Sequence, residues 1–182
     1  AFRMFTCTDF TSWLYPVTKG ATSIWERWNG YEVAFAEGHS NAMNSFNHFA
    51  LGAVGQWMYE YQLGITNDHG RGEAGYKHFV LQPSVGADYI SLSGSYASCY
   101  GVIRSSWTAD GKGTLTGYRT TIPANTTATL YLPVADAVSA CKEIEGAKFM
   151  GKSFRHGILV AVYELESGSF EFVVRGDQVE VH

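Results

Sequence analysis

Glu26 stands between two indoles, Trp25 and Trp28, in the run Thr22-Ser23-Ile24-Trp25-Glu26-Arg27-Trp28-Asn29-Gly30. A carboxylate beside aromatic faces supplies a proton-transfer group and an apolar wall at one spot. Sugars suit such a spot, because their C–H faces stack on rings while their hydroxyls seek charged or amide partners. The same residues admit a plainer reading, in which Glu26 pairs with Arg27 or another surface cation. If the run is extended, Ile24, Glu26 and Trp28 project to one side and Trp25 with Arg27 to the other. His48 is the second candidate, in the run Asn44-Ser45-Phe46-Asn47-His48.

The element that must position His48 is a helix. From Ser45 the apolar positions Phe46, Phe49, Ala50, Ala53, Val54, Trp57, Met58 and Tyr61 recur at three and four. Ser45 or Asn44 is a fitting N-cap, and Gly64 a left-handed stop followed by Ile65. That puts His48 in the first turn, with Gly52, Gly55 and Tyr59 along its face. Glycines weaken a helix by roughly 1 kcal/mol each relative to alanine, so two of them on one face point to a close neighbour. The positive end of a helix dipole favours a neutral imidazole that hydrogen-bonds over one that carries charge. A structural histidine packed under a loop fits the same pattern.

Together these stretches resemble a known family. Ala21 to Gly30, and Asn44-Ser45-Phe46-Asn47-His48-Phe49-Ala50-Leu51-Gly52-Ala53-Val54-Gly55-Gln56-Trp57-Met58-Tyr59, are similar to the C-terminal part of bacterial α-L-rhamnosidases, glycoside hydrolase family 78. Thr11-Ser12-Trp13-Leu14-Tyr15 resembles the family's Pro-Ser-Trp-Leu-Tyr segment, with Thr11 in place of proline. Ile122 to Pro133 resembles its Pro-Asn-Thr-Thr-Ala strand, and the likeness weakens after about residue 135. The loop from Glu32 to Ala42 is a further departure, at the rim of the pocket.

What the resemblance implies is an α+β chain, with the last helices of an (α/α)6 barrel over residues 1–70 and an antiparallel β-sandwich over 71–182. The earlier helices would precede Ala1, so the chain is expected to be the C-terminal piece of a larger enzyme. The family cleaves terminal α-L-rhamnose with inversion at the anomeric carbon. Glu26 aligns with its general base and His48 with a histidine that contacts the sugar. Trp25 or Trp28 would form an aromatic wall for the C6 methyl. The general acid lies upstream in the family, so the chain would carry half of the acid–base pair and be inactive alone. The implied partners are a rhamnose-containing glycoside or polysaccharide and the upstream catalytic region. Rival classes are a carbohydrate-binding module without catalysis and a purely structural domain.

Composition agrees without deciding. At 182 residues, one or two domains are possible, and 46% hydrophobic residues with 15% aromatics are ample for a core. A net charge of −4 gives no electrostatic reason to expect nucleic acid or an anionic membrane as partner. No apolar run approaches the length of a membrane span, and no signal peptide is visible. Cys7, Cys99 and Cys141 form neither a disulfide framework nor a Cys-x-x-Cys pair, and the six histidines are scattered. No cofactor and no protein-ligated metal is expected.

In chain order, residues 1–10 read as the tail of a helix. Thr11 or Ser12 caps a short helix with Trp13, Leu14 and Val17 that ends at Lys19-Gly20. Residues 31–43 read as a loop and 65–76 as a glycine-rich connection holding the domain boundary. From Lys77 the period becomes two: 78–81, 89–92, 100–107, 115–122, 127–132, 159–165 and 170–174 read as strands. Asp110-Gly111 and Ser167-Gly168 look like hairpin turns. Tyr96, Tyr100, Arg104, Trp107 and Tyr118 fit either a carbohydrate-binding face or ordinary half-buried strand positions. Asn125-Thr126-Thr127 has the form of a glycosylation acceptor. Residues 1–64 have too few elements to cover Phe46, Trp57 and Tyr61 on all sides, which predicts an exposed apolar patch there and possible self-association.

Overall fold

Alternation of apolar and polar residues governs most of the chain, and each alternating run becomes a strand with one face inward. The computed structural model describes residues 2–35, 43–68, 70, 74–135 and 138–182. Two compact units emerge, Ala1–Gln56 and Trp57–His182. The described residues of the second form eleven strands: β1 (Ile65–Asn67), β2 (His78–Leu81), β3 (Ser91–Ser98), β4 (Gly101–Ala109), β5 (Leu115–Ile122), β6 (Thr127–Pro133), β7 (Ala140–Cys141), β8 (Ala147–Arg155), β9 (Ile158–Leu165), β10 (Gly168–Arg175) and β11 (Gln178–Val181).

They form a five-stranded sheet in the order β1-β2-β6-β9-β8 and a six-stranded sheet in the order β3-β4-β5-β10-β11-β7. Phe79, Leu81, Leu130, Leu132 and Tyr163 of the first sheet and Ile103, Trp107, Tyr118 and Phe172 of the second share one buried core. The rings of Tyr163 and Phe172 meet across it, centroids 4.9 Å apart. This is a β-sandwich, antiparallel except where β2 pairs with β6 and β7 with β11.

Several strands lie outside the sequence-based expectation, for identifiable reasons. β8 escapes because its pairing with β9 shifts register between Phe149 and Gly151, which breaks the two-residue period. β7, of two residues, is too short to show a period, whereas β11 does alternate, with Val179 and Val181 buried between the polar Gln178 and Glu180. The supposed connection 65–76 contributes β1, whose three residues pair with β2. Ser167-Gly168 is not a hairpin turn, since β9 and β10 belong to different sheets and the chain crosses between layers there. Asp110-Gly111 does close the β4–β5 hairpin: Asp110 Oδ1 accepts the backbone N–H of Lys112 at 2.8 Å and of Thr114 at 2.9 Å.

Short helices dominate the first unit: α1 (Phe2–Thr6), α2 (Leu14–Thr18) and α3 (Gly30–Phe35). Ser12 Oγ accepts the Tyr15 N–H at 3.3 Å, and α2 ends at Lys19 and the left-handed Gly20, as its sequence suggests. α3 replaces the start of the expected loop at 31–43, of which residues 36–42 lie outside the described residues. Trp25 is the one large hydrophobic side chain buried among the described residues of this unit, whereas Met4, Phe10, Val17, Phe35, Met43 and Phe49 are exposed.

The helix expected from Ser45 begins six residues late. Helical structure runs as a 3-10 turn at Leu51–Ala53, then α4 (Val54–Trp57), then a π-helical turn at Met58–Gln62. Gly64 stops it with φ +73°, where a Cβ would fall 2.1 Å from the Gln82 carbonyl carbon. Helix ends leave carbonyls without partners in the helix itself. Here two are taken by side chains of β4: Trp107 Nε1 donates to Gln62 O at 2.8 Å and Ser105 Oγ to Leu63 O at 2.6 Å.

Candidate active-site loops

Residues 45–48 are not helical because their backbone groups are committed elsewhere. The Glu26 N–H donates to Ser45 O at 2.8 Å, and the His48 N–H to Ile24 O at 2.8 Å. The two segments therefore run past each other in opposite directions, with Ser23 Oγ adding a bond to Phe46 O at 2.5 Å. A side chain joins in: Glu26 Oε2 accepts the Ser45 N–H at 2.7 Å. Glu26 and His48 are thus carried on neighbouring stretches of chain, both half-buried.

His48 precedes the first helical turn instead of lying within it, so its expected alignment with Gly52, Gly55 and Tyr59 does not form. Its Nδ1 accepts the Ala50 N–H at 3.2 Å. An imidazole nitrogen that accepts carries no proton, which leaves the ring's proton on Nε2. The His48 ring stacks on Phe49, centroids 5.3 Å apart.

The alternation along 24–28 separates the two indoles. Trp25 is only 3% exposed and packs on Tyr31 (4.4 Å) and Phe46 (5.4 Å). It anchors the loop, its ring turned inward and only its edge reaching the small cavity it shares with Trp28. Gly30 sits beneath these rings, where a Cβ would come 2.9 Å from Phe46 and 3.0 Å from Trp25. Trp28 is half-buried and meets Trp13 edge-on at 5.2 Å. Trp13 is fixed in turn by Phe5, stacked at 4.9 Å, and by its Nε1 donating to Leu51 O at 3.0 Å.

Sequence reasoning missed the groups that hold this arrangement. Arg27 Nε donates to Met43 O at 3.0 Å, and Asn44 Nδ2 to Gly30 O at 3.0 Å. Both bridge the Trp-Glu loop to the segment before His48. A cavity of about 40 Å³ lies against Trp13, Ile24 and Trp28. That is room for a methyl group or a water, whereas ligand sites run to roughly 300 Å³ and more.

In the second unit, Trp107 (2% exposed) and Tyr118 (1%) point into the core, so neither can be a sugar platform. Burial raises the Tyr118 hydroxyl pKa well above its usual value, against the opposing hydrogen bond with Ser105. Tyr96 is half-buried, while Tyr100 and Arg104 are exposed. Among the described residues no group of three or more His, Cys, Asp or Glu is disposed to hold a metal, and the three cysteines are free. Among the described residues no helix is long and apolar enough to cross a membrane.

Residues 1–62 match the family model of the bacterial α-L-rhamnosidase 6-hairpin glycosidase domain, and residues 64–147 that of the bacterial α-L-rhamnosidase C-terminal domain. An α-L-rhamnosidase of Streptomyces avermitilis is 34% identical over 174 residues, which is 96% of this chain and 16% of that protein. The chain belongs to the bacterial α-L-rhamnosidase family. A rhamnosidase of Formosa agariphila is 40% identical over 131 residues, 71% of this chain and 13% of its own length. Among solved structures, the Streptomyces avermitilis rhamnosidase complexed with L-rhamnose superposes with a TM-score of 0.69 at 32% identity, covering 96% of this chain and 16% of that one. The native Aspergillus terreus rhamnosidase gives 0.69 at 27% identity, covering 96% and 17%. This rhamnosidase-family chain therefore spans about one sixth of the length of such relatives and corresponds to their C-terminal portion.

Proposed function

We propose that these residues complete the active site of an enzyme that releases terminal α-L-rhamnose from glycosides with inversion, and that Glu26 is the general base. The observation that carries the reading is the tether of Glu26 Oε2 to the Ser45 N–H, in a chain 34% identical to a named α-L-rhamnosidase over 96% of its length. A base must be held still and yet keep an oxygen for its proton. The Ser45 amide fixes one carboxylate oxygen, and the proposal gives Oε1 to the attacking water. Inverting hydrolases place the acid and the base about 6.5 to 9.5 Å apart so that this water fits between the base and the sugar. The water's proton passes to Glu26 as its oxygen bonds to the anomeric carbon, and the acid protonates the departing glycosidic oxygen. That acid belongs, in this proposal, to the helical part of the enzyme beyond this chain.

His48 then acts as a neutral hydrogen-bond donor to a sugar hydroxyl through Nε2–H, its Nδ1 being held by Ala50. With Trp25 turned inward, Trp28 is the indole left to line the sugar. The first 60 or so residues belong to the catalytic helical domain, and the remainder is a β-domain that follows it in the chain. In this reading the 182-residue chain alone hydrolyses nothing.

The test is hydrolysis of an aryl α-L-rhamnoside by the longer protein that contains this chain. Glu26→Gln keeps the shape and the bond from Ser45 but removes the base, so kcat is expected to fall roughly 10²- to 10⁴-fold. A variant with full rate would remove Glu26 from the chemistry. Inversion is checked separately, by following the anomeric configuration of newly released rhamnose by NMR.

A further inference from the structure

A cavity of about 360 Å³ opens on the second unit, between the end of the helical run, the β1–β2 pair and the turn joining β8 to β9. That volume falls within the roughly 300–1,000 Å³ of small-molecule sites. Its walls are tied together. The Ser84 N–H donates to Tyr61 O at 2.9 Å and the Gln82 N–H to Gly64 O at 2.8 Å, which joins the strand wall to the helical wall. From the third wall, Arg155 Nε donates to Gln82 Oε1 at 3.1 Å, and its guanidinium lies 3.9 Å over the Tyr131 ring. The turn that presents Arg155 has positive φ at both central residues, +50° at His156 and +78° at Gly157, the geometry that fits a tight antiparallel hairpin. A cation stacked and hydrogen-bonded in this way needs little ordering when a ligand arrives.

The lining selects a ligand class. Tyr61 is 52% exposed, its ring nearly parallel to Trp57 at 18° and 6.4 Å, so a flat aromatic surface stands at the rim. Among the described lining residues the Glu60 and Asp68 carboxylates, the latter 3.8 Å from His78 Nε2, accompany the Arg155 guanidinium, a mixture that disfavours phosphate or a sugar acid. What remains is a neutral ring with one apolar face and several hydroxyls, to which a carboxylate, a guanidinium and an amide can each offer paired contacts.

We propose that this cavity is a saccharide subsite that takes one neutral pyranose ring, stacked on Tyr61 and hydrogen-bonded by Arg155, Gln82 and Glu60. Every one of these residues belongs to the second compact unit, Glu60 and Tyr61 from the helical run at its start, and the proposal stands whether or not Glu26 is a catalytic base. It gives this unit a task in holding glycan chains.

Calorimetric titration of the longer protein tests it, with methyl α-L-rhamnoside, methyl β-D-glucoside and methyl β-D-galactoside as probes and inorganic phosphate as the anionic control. Wild type is compared with Tyr61→Ala, Arg155→Lys and Gln82→Ala, each checked for native near-UV circular dichroism. At least one neutral glycoside is expected to bind wild type saturably and roughly tenfold more weakly to each variant, with no competition from phosphate. Hydrolysis of a small aryl α-L-rhamnoside should stay unchanged in all three. Binding that ignores all three substitutions, or that phosphate displaces, would overturn the subsite. A protein with no rhamnosidase activity that still binds a glycoside through Tyr61 would sink the hydrolase reading and leave the subsite standing.

Discussion

A carboxylate proposed to abstract a proton is useful only if it is aimed, and the one polar partner among the described residues that could aim Glu26 as a base is the Ser45 N–H. The distinction between backbone and side chain at Ser45 yields a sharp prediction. Ser45→Ala retains the N–H donated to Glu26 and should keep kcat within about twofold, whereas Ser45→Pro deletes that donor and should lower kcat by at least roughly tenfold. Steady-state rates of the two variants in the longer protein decide it, and equal losses would show that the tether does not matter. The residue types that could do this chemistry were legible: Glu26 between indoles and His48 after Asn-Ser-Phe-Asn stand out by kind and spacing. Their supports were not, because Ser45 acts through its amide and every residue but proline has one. The inward turn of Trp25 was half legible, since alternation put it opposite Glu26 but could not say which side was solvent.

The long strands are legible: β4, β5, β6, β9 and β10 fall within two residues of the ranges that the sequence suggests. The helix at 45–50 shows the converse. Its period is helical, yet a helix from Ser45 needs the Ser45 and Phe46 carbonyls for the N–H groups four residues on, and these accept from the Glu26 N–H and Ser23 Oγ instead. Two predictions belong at this scale. Gly64→Ala forces a Cβ against the Gln82 backbone at a left-handed position and should destabilise the fold by at least about 1–3 kcal/mol, measured by urea unfolding. In the β4–β5 turn, backbone N–H bonds from Thr114 and Lys112 hold the Asp110 carboxyl below its ordinary pKa. A folded-state pKa lower than the unfolded one means that the carboxylate stabilises the turn above the unfolded value. That contribution fades as pH falls through the folded value. Asp110→Asn should therefore flatten the acid limb of the Tm–pH curve below about pH 4 and leave the fold's response near neutral pH unchanged. Parallel acid limbs in the two proteins would contradict this.

For the molecule as a whole, the two units differ in self-sufficiency. The sandwich buries two opposed sheet faces, whereas the first unit leaves Phe10, Phe35, Met43 and Phe49 in solvent around one buried tryptophan. Apolar surface on that scale binds something. The 182-residue chain produced alone should bind a hydrophobic dye and sediment as more than a monomer, and Phe49→Ser with Phe35→Ser should reduce both. A dye-negative monomer would mean that this surface is satisfied within the chain. The change of period from helical to two was legible. That the sandwich starts at β1 was not, since three residues are too few to carry a pattern.

The bonds from β4 to the end of the helical run also impose an order of events during synthesis. Gln62 and Leu63 emerge from the ribosome 45 and 42 residues ahead of Trp107 and Ser105, which take up their carbonyls. At roughly 5–20 residues per second, that is an interval of about 2–9 s in which the helical segment is made but not finished. The nascent helical region must therefore be kept soluble until the third and fourth strands behind it have been translated, and a pause placed just before Ser105 should raise the yield of aggregated protein more than one placed just after Trp107.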